Sequence, residues 1–150
     1  LSQTELGERA PRFFTNYESR KSNDMTSNPH VSLVFHWGPM QRQIRIEGVV
    51  ERVSRGESEI YFDSRERGSQ IGAWASPQSH SIQSREELEQ IVKDVEARFK
   101  DQKVVCPPHW GGWRVVPERI EFWQGVKNRL HDRFVFTKSA EGWNVTRLAP

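Results

Sequence analysis

Beyond Pro107 and Pro108 the chain gathers β-branched and aromatic residues into short runs at 114–116, 120–123, 133–137 and 143–147, parted by glycine and polar breaks. That spacing predicts that the last third folds as sheet. Earlier, residues 12–15 predict a short strand ending at Asn16. Val31, Leu33 and Phe35 alternate with their neighbours, and after Gly38 and Pro39 so do Ile44, Ile46 and Gly48, which predicts a β-hairpin. Between these strands lie helical segments. Residues 18–28 end at Asn28 before Pro29, and 58–64 and 69–75 predict two short helices. Ser84, with Glu87 three residues on, forms a capping box that opens a longer helix, whose Leu88, Ile91, Val92, Val95 and Phe99 make one apolar stripe. Several strands interrupted by a few helices predict a mainly β fold, a closed or nearly closed barrel with helices packed outside.

At 150 residues the chain suits one domain spanning 1–150, which buries roughly 70% of its unfolded surface. Lys and Arg total 22 against 20 Asp and Glu, a net charge of +2, so no broad positive field of the kind that holds nucleic acid is expected. Cys106 is the only cysteine, which excludes an intrachain disulfide and suits a reducing compartment. No apolar run approaches the roughly 20 residues that span a bilayer, and the opening has no signal-sequence pattern. A cytoplasmic protein without membrane or nucleic-acid partners is therefore expected. His30, His36, His80 and His109 lack ligand spacing, and neither a nucleophile elbow nor a phosphate-binding glycine loop is present, so no metal site or serine catalysis is expected.

Three local clusters suggest an anion instead. If 128–133 is extended, Arg129, His131 and Arg133 share one face, and like charges so close call for a counter-charge. A phosphorylated ligand is the preferred one; an exposed polar face paired with Asp132 and Glu121 is the alternative. If 58–70 is one continuous helix, Tyr61, Arg65 and Ser69 fall on one path and offer a guanidinium and two hydroxyls to a phosphate, or else simply to solvent. Arg20 and Lys21 sit near a helix start, where free N–H groups favour anions. Gln43 faces solvent or a ligand, and Trp123, near the basic triplet, is placed to wall a pocket for a flat ring.

These residues also occur in a recognisable order. Phe-Phe-Thr-Asn-Tyr-Glu-Ser-Arg-Lys at 13–21, Ser-Asn-Pro at 27–29, Arg-Gln at 42–43, Tyr-Phe-Asp-Ser-Arg at 61–65, Ser-Gln-Ile-Gly-Ala-Trp at 69–74, Gln-Ser at 78–79, Trp-Gly-Gly at 110–112, the run 121–133 and the closing Arg-Leu-Ala-Pro make the chain closely resemble the pyridoxamine 5′-phosphate oxidase family. The resemblance implies a split β-barrel homodimer with FMN at the subunit interface, oxidising pyridoxamine or pyridoxine 5′-phosphate to pyridoxal 5′-phosphate with O2 and releasing H2O2. It implies FMN contacts at Phe14, Thr15, Arg20, Lys21, Gln43, Gln78, Ser79, Trp123 and Arg133, with Arg20 and Lys21 on the phosphate. It implies a substrate-phosphate cradle of Tyr61, Arg65 and Ser69, and catalytic roles for Arg129 and His131 over the substrate ring. A non-catalytic flavin- or pyridoxal-phosphate-binding split barrel is the other reading. In one respect the chain departs from the family: members carry a further strand ahead of Phe-Phe-Thr, with a basic residue and an apolar run ending Leu-Leu-Lys. Residues 1–11, which open on Leu1, show nothing like it.

Overall fold

The computed structural model describes residues 10–150; the reading of the opening segment falls mostly on residues 1–9, which lie outside the described residues. The described residues form β1 (Arg12–Asn16), α1 (Arg20–Ser27), β2 (His30–Trp37), β3 (Arg42–Arg52), α2 (Arg55–Asp63), α3 (Arg67–Ala75), α4 (Arg85–Arg98), β4 (Trp110–Gln124), β5 (Asp132–Ser139) and β6 (Gly142–Leu148). The strands join in the order β2-β3-β4-β5-β6, and β1 pairs with β4 off that path. Among the described residues no helix is long and apolar enough to cross a membrane.

Two compact units emerge. The sheet unit comprises Pro29–Glu51 and Arg114–Pro150 together with the segment that ends at Pro11. The predicted hairpin is there, antiparallel from His30 opposite Val49 to Trp37 opposite Arg42. Its turn is a 3₁₀ segment, Gly38–Met40, closed by Gln41 in the left-handed region at φ 48°. Ile46 and Val50 are buried, as are Val115 and Val135 from later strands. Gly48 marks a close approach, since a Cβ there would lie 2.1 Å from the Val116 carbonyl oxygen.

The predicted strands at 114–116 and 120–123 are one. β4 runs without interruption through Pro117, which supplies no N–H to the ladder, so the proline that reads as a break in sequence is only a missing donor in the strand.

The helical unit comprises Arg12–Asn28 and Arg52–Trp113. Its core is Phe62, Ile71, Phe99, Val104, Cys106 and Trp110, against which Phe14, Ala73, Trp74, Val92 and Val95 pack. The α4 stripe falls as expected, with Leu88, Ile91, Val92 and Val95 half-buried and Phe99 buried beyond the helix end. Ser84 accepts the Glu87 N–H at 3.2 Å, but the Glu87 carboxylate reaches back to the Gln83 N–H, so the box closes one residue early. Gly111 and Gly112 admit two rings: a Cβ on the first would meet Tyr17 at 2.2 Å, and on the second Phe14 at 2.7 Å. That close approach is why Trp-Gly-Gly-Trp opens β4.

Residues 58–70 are not one helix. α2 ends at Asp63 and α3 begins at Arg67, with Ser64 N–H bonding back to Ile60 and Tyr61 carbonyls and Glu66 in extended geometry as the next cap. Arg65 therefore sits in the connection, and the i, i+4, i+8 path through Tyr61, Arg65 and Ser69 does not exist. The extended run 128–133 is also absent. Lys127–Arg129 is a 3₁₀ turn in which Asn128 and Arg129 take φ values of 59° and 64°, so strand alternation begins only at Asp132.

Candidate functional site

In the helical unit, a cavity of about 220 Å³ is lined by residues that include Asn16, Arg65, Ser69, Gln78 and Trp110. Arg65 lays its guanidinium 4.8 Å from the Trp110 ring centre, a cation–π placement. One terminal nitrogen of Arg65, Nη1, is buried with no hydrogen-bond partner. Buried donors are almost always satisfied, so this one marks a place where a further acceptor belongs. Ser69 lines the same cavity from the first turn of α3, so Arg65 and Ser69 meet across the helix break and not by helical spacing. Tyr61 does not line it; its ring stacks on Phe14 at 3.9 Å.

The other helical-unit residues named from the sequence fall into two groups. Thr15, buried, donates its hydroxyl to the Gln78 side-chain oxygen at 3.0 Å, and the Asn16 N–H donates to that oxygen at 3.2 Å. With its carbonyl end so fixed, Gln78 presents its amide N–H₂ from a set direction. Ser79 beside it holds a left-handed φ of 71°, a conformation uncommon for a side-chain-bearing residue. Arg20 and Lys21 form the first turn of α1. Ser19, at the N-cap, makes no side-chain cap bond and gives its hydroxyl to the Asn16 carbonyl at 2.7 Å, as does Ser22 at 2.9 Å. The Ser22 N–H is taken by the Ser19 carbonyl at 3.0 Å, while the N–H groups of Arg20 and Lys21 ahead of it receive no side-chain cap, with no acidic residue in the first turn and two basic ones there. That donor set fits a phosphate.

A larger hollow of the helical unit, about 630 Å³, contains none of the site residues named from the sequence. Its Arg67 is committed to the carbonyls of Phe99 and Gln102 at 2.7 and 2.9 Å, so here volume is a poor guide to chemistry.

In the sheet unit, Trp123 and Arg133 are directly opposite across β4 and β5. The Trp123 ring lies 4.8 Å from that of His131. The Val126 N–H donates to His131 Nδ1 at 3.2 Å, which leaves the proton of a neutral ring on Nε2 as a donor. Arg133 does not join a cluster of cations: its Nε donates to the buried Glu121 carboxylate at 2.8 Å and its Nη1 to the Ala149 carbonyl at 3.2 Å. The expected convergence of Arg129, His131 and Arg133 is thereby corrected. The left-handed turn takes Arg129 out of register, and the counter-charge to Arg133 is Glu121, one of the two partners of the alternative reading, although Glu121 is buried rather than on an exposed face and Asp132 pairs with Arg147 instead. Gln43 and Trp123 line a cleft of about 540 Å³ together with Trp37, Met40 and Phe122.

Glu121 is 3% exposed. The hydrogen bond from Arg133 holds its carboxyl below the usual carboxylate range, against the opposing effect of burial. A carboxylate with a lowered folded-state pKa stabilises above its unfolded value, about 4.3, and that contribution is lost as pH falls through the folded value. The stability gap between the wild type and Glu121→Gln is therefore expected to narrow from pH 7 to pH 3.5 in urea unfolding; a gap that is constant or widens on acidification would contradict the pairing.

Sequence reasoning missed that Glu121 is buried and that Trp110 walls the Arg65 cavity. The available signal was the alternation of Arg119, Glu121 and Trp123 on one strand face, legible only once β4 is known to be continuous. Among the described residues no group of three or more His, Cys, Asp and Glu side chains is placed to hold a metal ion.

The family model described as pyridoxamine 5′-phosphate oxidase matches residues 6–99, and that described as the pyridoxine 5′-phosphate oxidase C-terminal dimerisation region matches 110–150. A pyridoxine/pyridoxamine 5′-phosphate oxidase from Rubrobacter xylanophilus is 53% identical over 143 residues, 95% of this chain and 66% of that protein. The chain spans about two thirds of the length of the curated relatives it matches. Among solved structures, PhzG from Burkholderia lata, in complex with tetrahydrophenazine-1-carboxylic acid, superposes with a TM-score of 0.87 at 27% identity, over 94% of this chain and 69% of that one. A pyridoxamine 5′-phosphate oxidase-related, FMN-binding protein from Nostoc punctiforme does so at 0.71 and 13%, over 93% and 72%. The fold class is the one expected, mainly antiparallel β with flanking helices, of the split-barrel type.

Proposed function

Because this chain belongs to the pyridoxamine 5′-phosphate oxidase family, we propose that it binds FMN and oxidises pyridoxamine or pyridoxine 5′-phosphate to pyridoxal 5′-phosphate. For the amine, substrate, O2 and water give the aldehyde, ammonia and H2O2. The observation that carries the reading is the buried, unpartnered Arg65 nitrogen in a cavity it shares with Ser69. A guanidinium in that state suits the bidentate geometry of a phosphate, and the Ser69 hydroxyl adds a directional bond. Tyr61, stacked on Phe14, completes the proposed cradle from a position the cavity itself does not include.

For FMN, the uncapped start of α1 suits the phosphate, with Arg20 and Lys21 as its charge partners. Phe14, Thr15, Gln78 and Ser79 in the helical unit, and Gln43, Trp123 and Arg133 in the sheet unit, are the remaining proposed contacts. FMN, when bound, supplies the two-electron acceptor for oxidation at the substrate's C4′ and the route to O2. The chain's own residues bind and orient: His131 offers the Nε2 proton as a hydrogen-bond donor, and Arg129, exposed on its turn, is proposed to cover the substrate ring and favour the developing charge.

We further propose a homodimer. The match of 110–150 to a dimerisation region supports it, as do the exposed apolar side chains of Phe122, Leu130 and Val145 in that stretch. The buried, unpaired Cys106, its thiol pushed up by burial, suits a reducing compartment, and we assign the chain to the cytoplasm. The test is a visible spectrum of the purified chain reconstituted with FMN, followed by a peroxide assay with pyridoxamine 5′-phosphate. A bound-flavin spectrum with peroxide release is expected. A flavin spectrum without peroxide would instead favour the non-catalytic binder, and the absence of both would remove the proposal.

A further inference from the structure

Arg133 is the end of a chain of alternating charge that crosses three strands of the sheet unit. Arg45 donates to Glu47 at 2.5 Å, Arg119 bridges Glu47 at 3.0 Å and Glu121 at 3.3 Å, and Glu121 holds Arg133 at 2.8 Å. Arg119, Glu121 and Trp123 alternate along β4 and so share its face, and Trp123 pairs across to Arg133. The outer pairs are partly exposed and of the kind that contribute little. Glu121 is different, because its side chain is 4% exposed. Burying a carboxylate costs enough that an apolar residue at such a position is often neutral or stabilising, so stability alone is a weak reason for a charge there.

The geometry points to a positioning residue: we propose that Glu121 fixes the guanidinium of Arg133 in the plane and direction from which it meets the cofactor. This rests on reading Arg133 as an FMN contact. A free arginine samples many rotamers, whereas its planar fork, once anchored, points its remaining donors along fixed lines. Arg133 is anchored twice, at Nε by Glu121 and at Nη1 by the Ala149 carbonyl, which leaves the rest of the fork free for a ligand acceptor. The attraction is mutual, since the same bond raises the Arg133 pKa while lowering that of Glu121. Second-layer partners of this type are worth about 10- to 100-fold in affinity at metal sites, and the lower end of that range is the expectation here.

The experiment is a double-mutant cycle on FMN affinity, read by quenching of flavin fluorescence as FMN is titrated into the cofactor-free chain. Arg133→Ala is expected to weaken binding, Glu121→Gln to weaken it about tenfold, and the double variant to bind no worse than Arg133→Ala alone. Urea midpoints measured alongside separate a structural effect, which would lower stability and leave the affinity of the folded fraction unchanged. If Glu121→Gln binds FMN like the wild type while Arg133→Ala does not, the positioning role fails and the Arg133 contact stands. Independent, multiplying losses would also overturn it, and an Arg133→Ala variant with undiminished affinity would remove both. Should Glu121→Gln not fold, Glu121→Asp, which keeps the charge and withdraws it by one methylene, enters the same cycle, with a smaller loss that again vanishes without Arg133.

Discussion

Arg65→Met is expected to bind pyridoxamine 5′-phosphate about 10- to 100-fold more weakly, the loss of one or two charge-assisted hydrogen bonds, while its folded state becomes no less stable. The two halves of this result come from one observation. The Nη1 of Arg65 is buried without a partner, so in the ligand-free chain the guanidinium is held at a cost. Its guanidinium carbon lies 4.8 and 6.0 Å from the ring centres of Trp110 and Phe62, and a methionine thioether can keep contact with those rings. Steady-state kinetics should show the change mainly in KM, with FMN content preserved, and thermal unfolding should show a midpoint equal to or above that of the wild type. A variant with unaltered KM would dismiss Arg65 as the phosphate anchor. One with a much lower midpoint would show that the guanidinium is satisfied after all.

Gly48→Ala should lose more stability than any surface change, about 3 kcal/mol or more, since overpacking against backbone leaves no side chain to yield. The added Cβ would sit 2.1 Å from the Val116 carbonyl oxygen and 3.0 Å from Pro117 Cα, both main-chain atoms of β4. Relief requires the β3 and β4 backbones to part in the middle of the sheet unit. Gly56→Ala is the control, because nothing lies within 4 Å of a Cβ there. Urea midpoints of the two variants should differ sharply in that direction; similar midpoints would mean that the strands are less closely apposed than described.

What the sequence disclosed follows from how local each cause is. The hairpin, the Ser84 cap and the α4 stripe depend on neighbours a few residues apart, and alternation or helical spacing displays them directly. The break at Ser64 and the left-handed pair Asn128 and Arg129 have no glycine or proline to announce them. The separation of 114–116 from 120–123 was the opposite error, since the missing N–H of Pro117 between them is tolerated within β4. The pairing of Glu121 with Arg133 needed the strand register, which places Trp123 opposite Arg133. The candidate residues themselves were assigned through family resemblance. Geometry then separated them: Arg65 and Ser69 share a cavity, Trp123 lies against His131 and opposite Arg133, and Arg129 stands apart on its turn.

The two compact units alternate along the chain, the sheet unit being interrupted by Arg52–Trp113 and resumed only at Arg114. No single cleavage can therefore release either one whole. On the ribosome, β2 and β3 emerge long before β4, their partner in the sheet order, so the edge of β3 stays open while the helical unit is made. An unpaired strand edge invites non-native pairing. The early hairpin is thus open to aggregation when translation stalls before β4 is made.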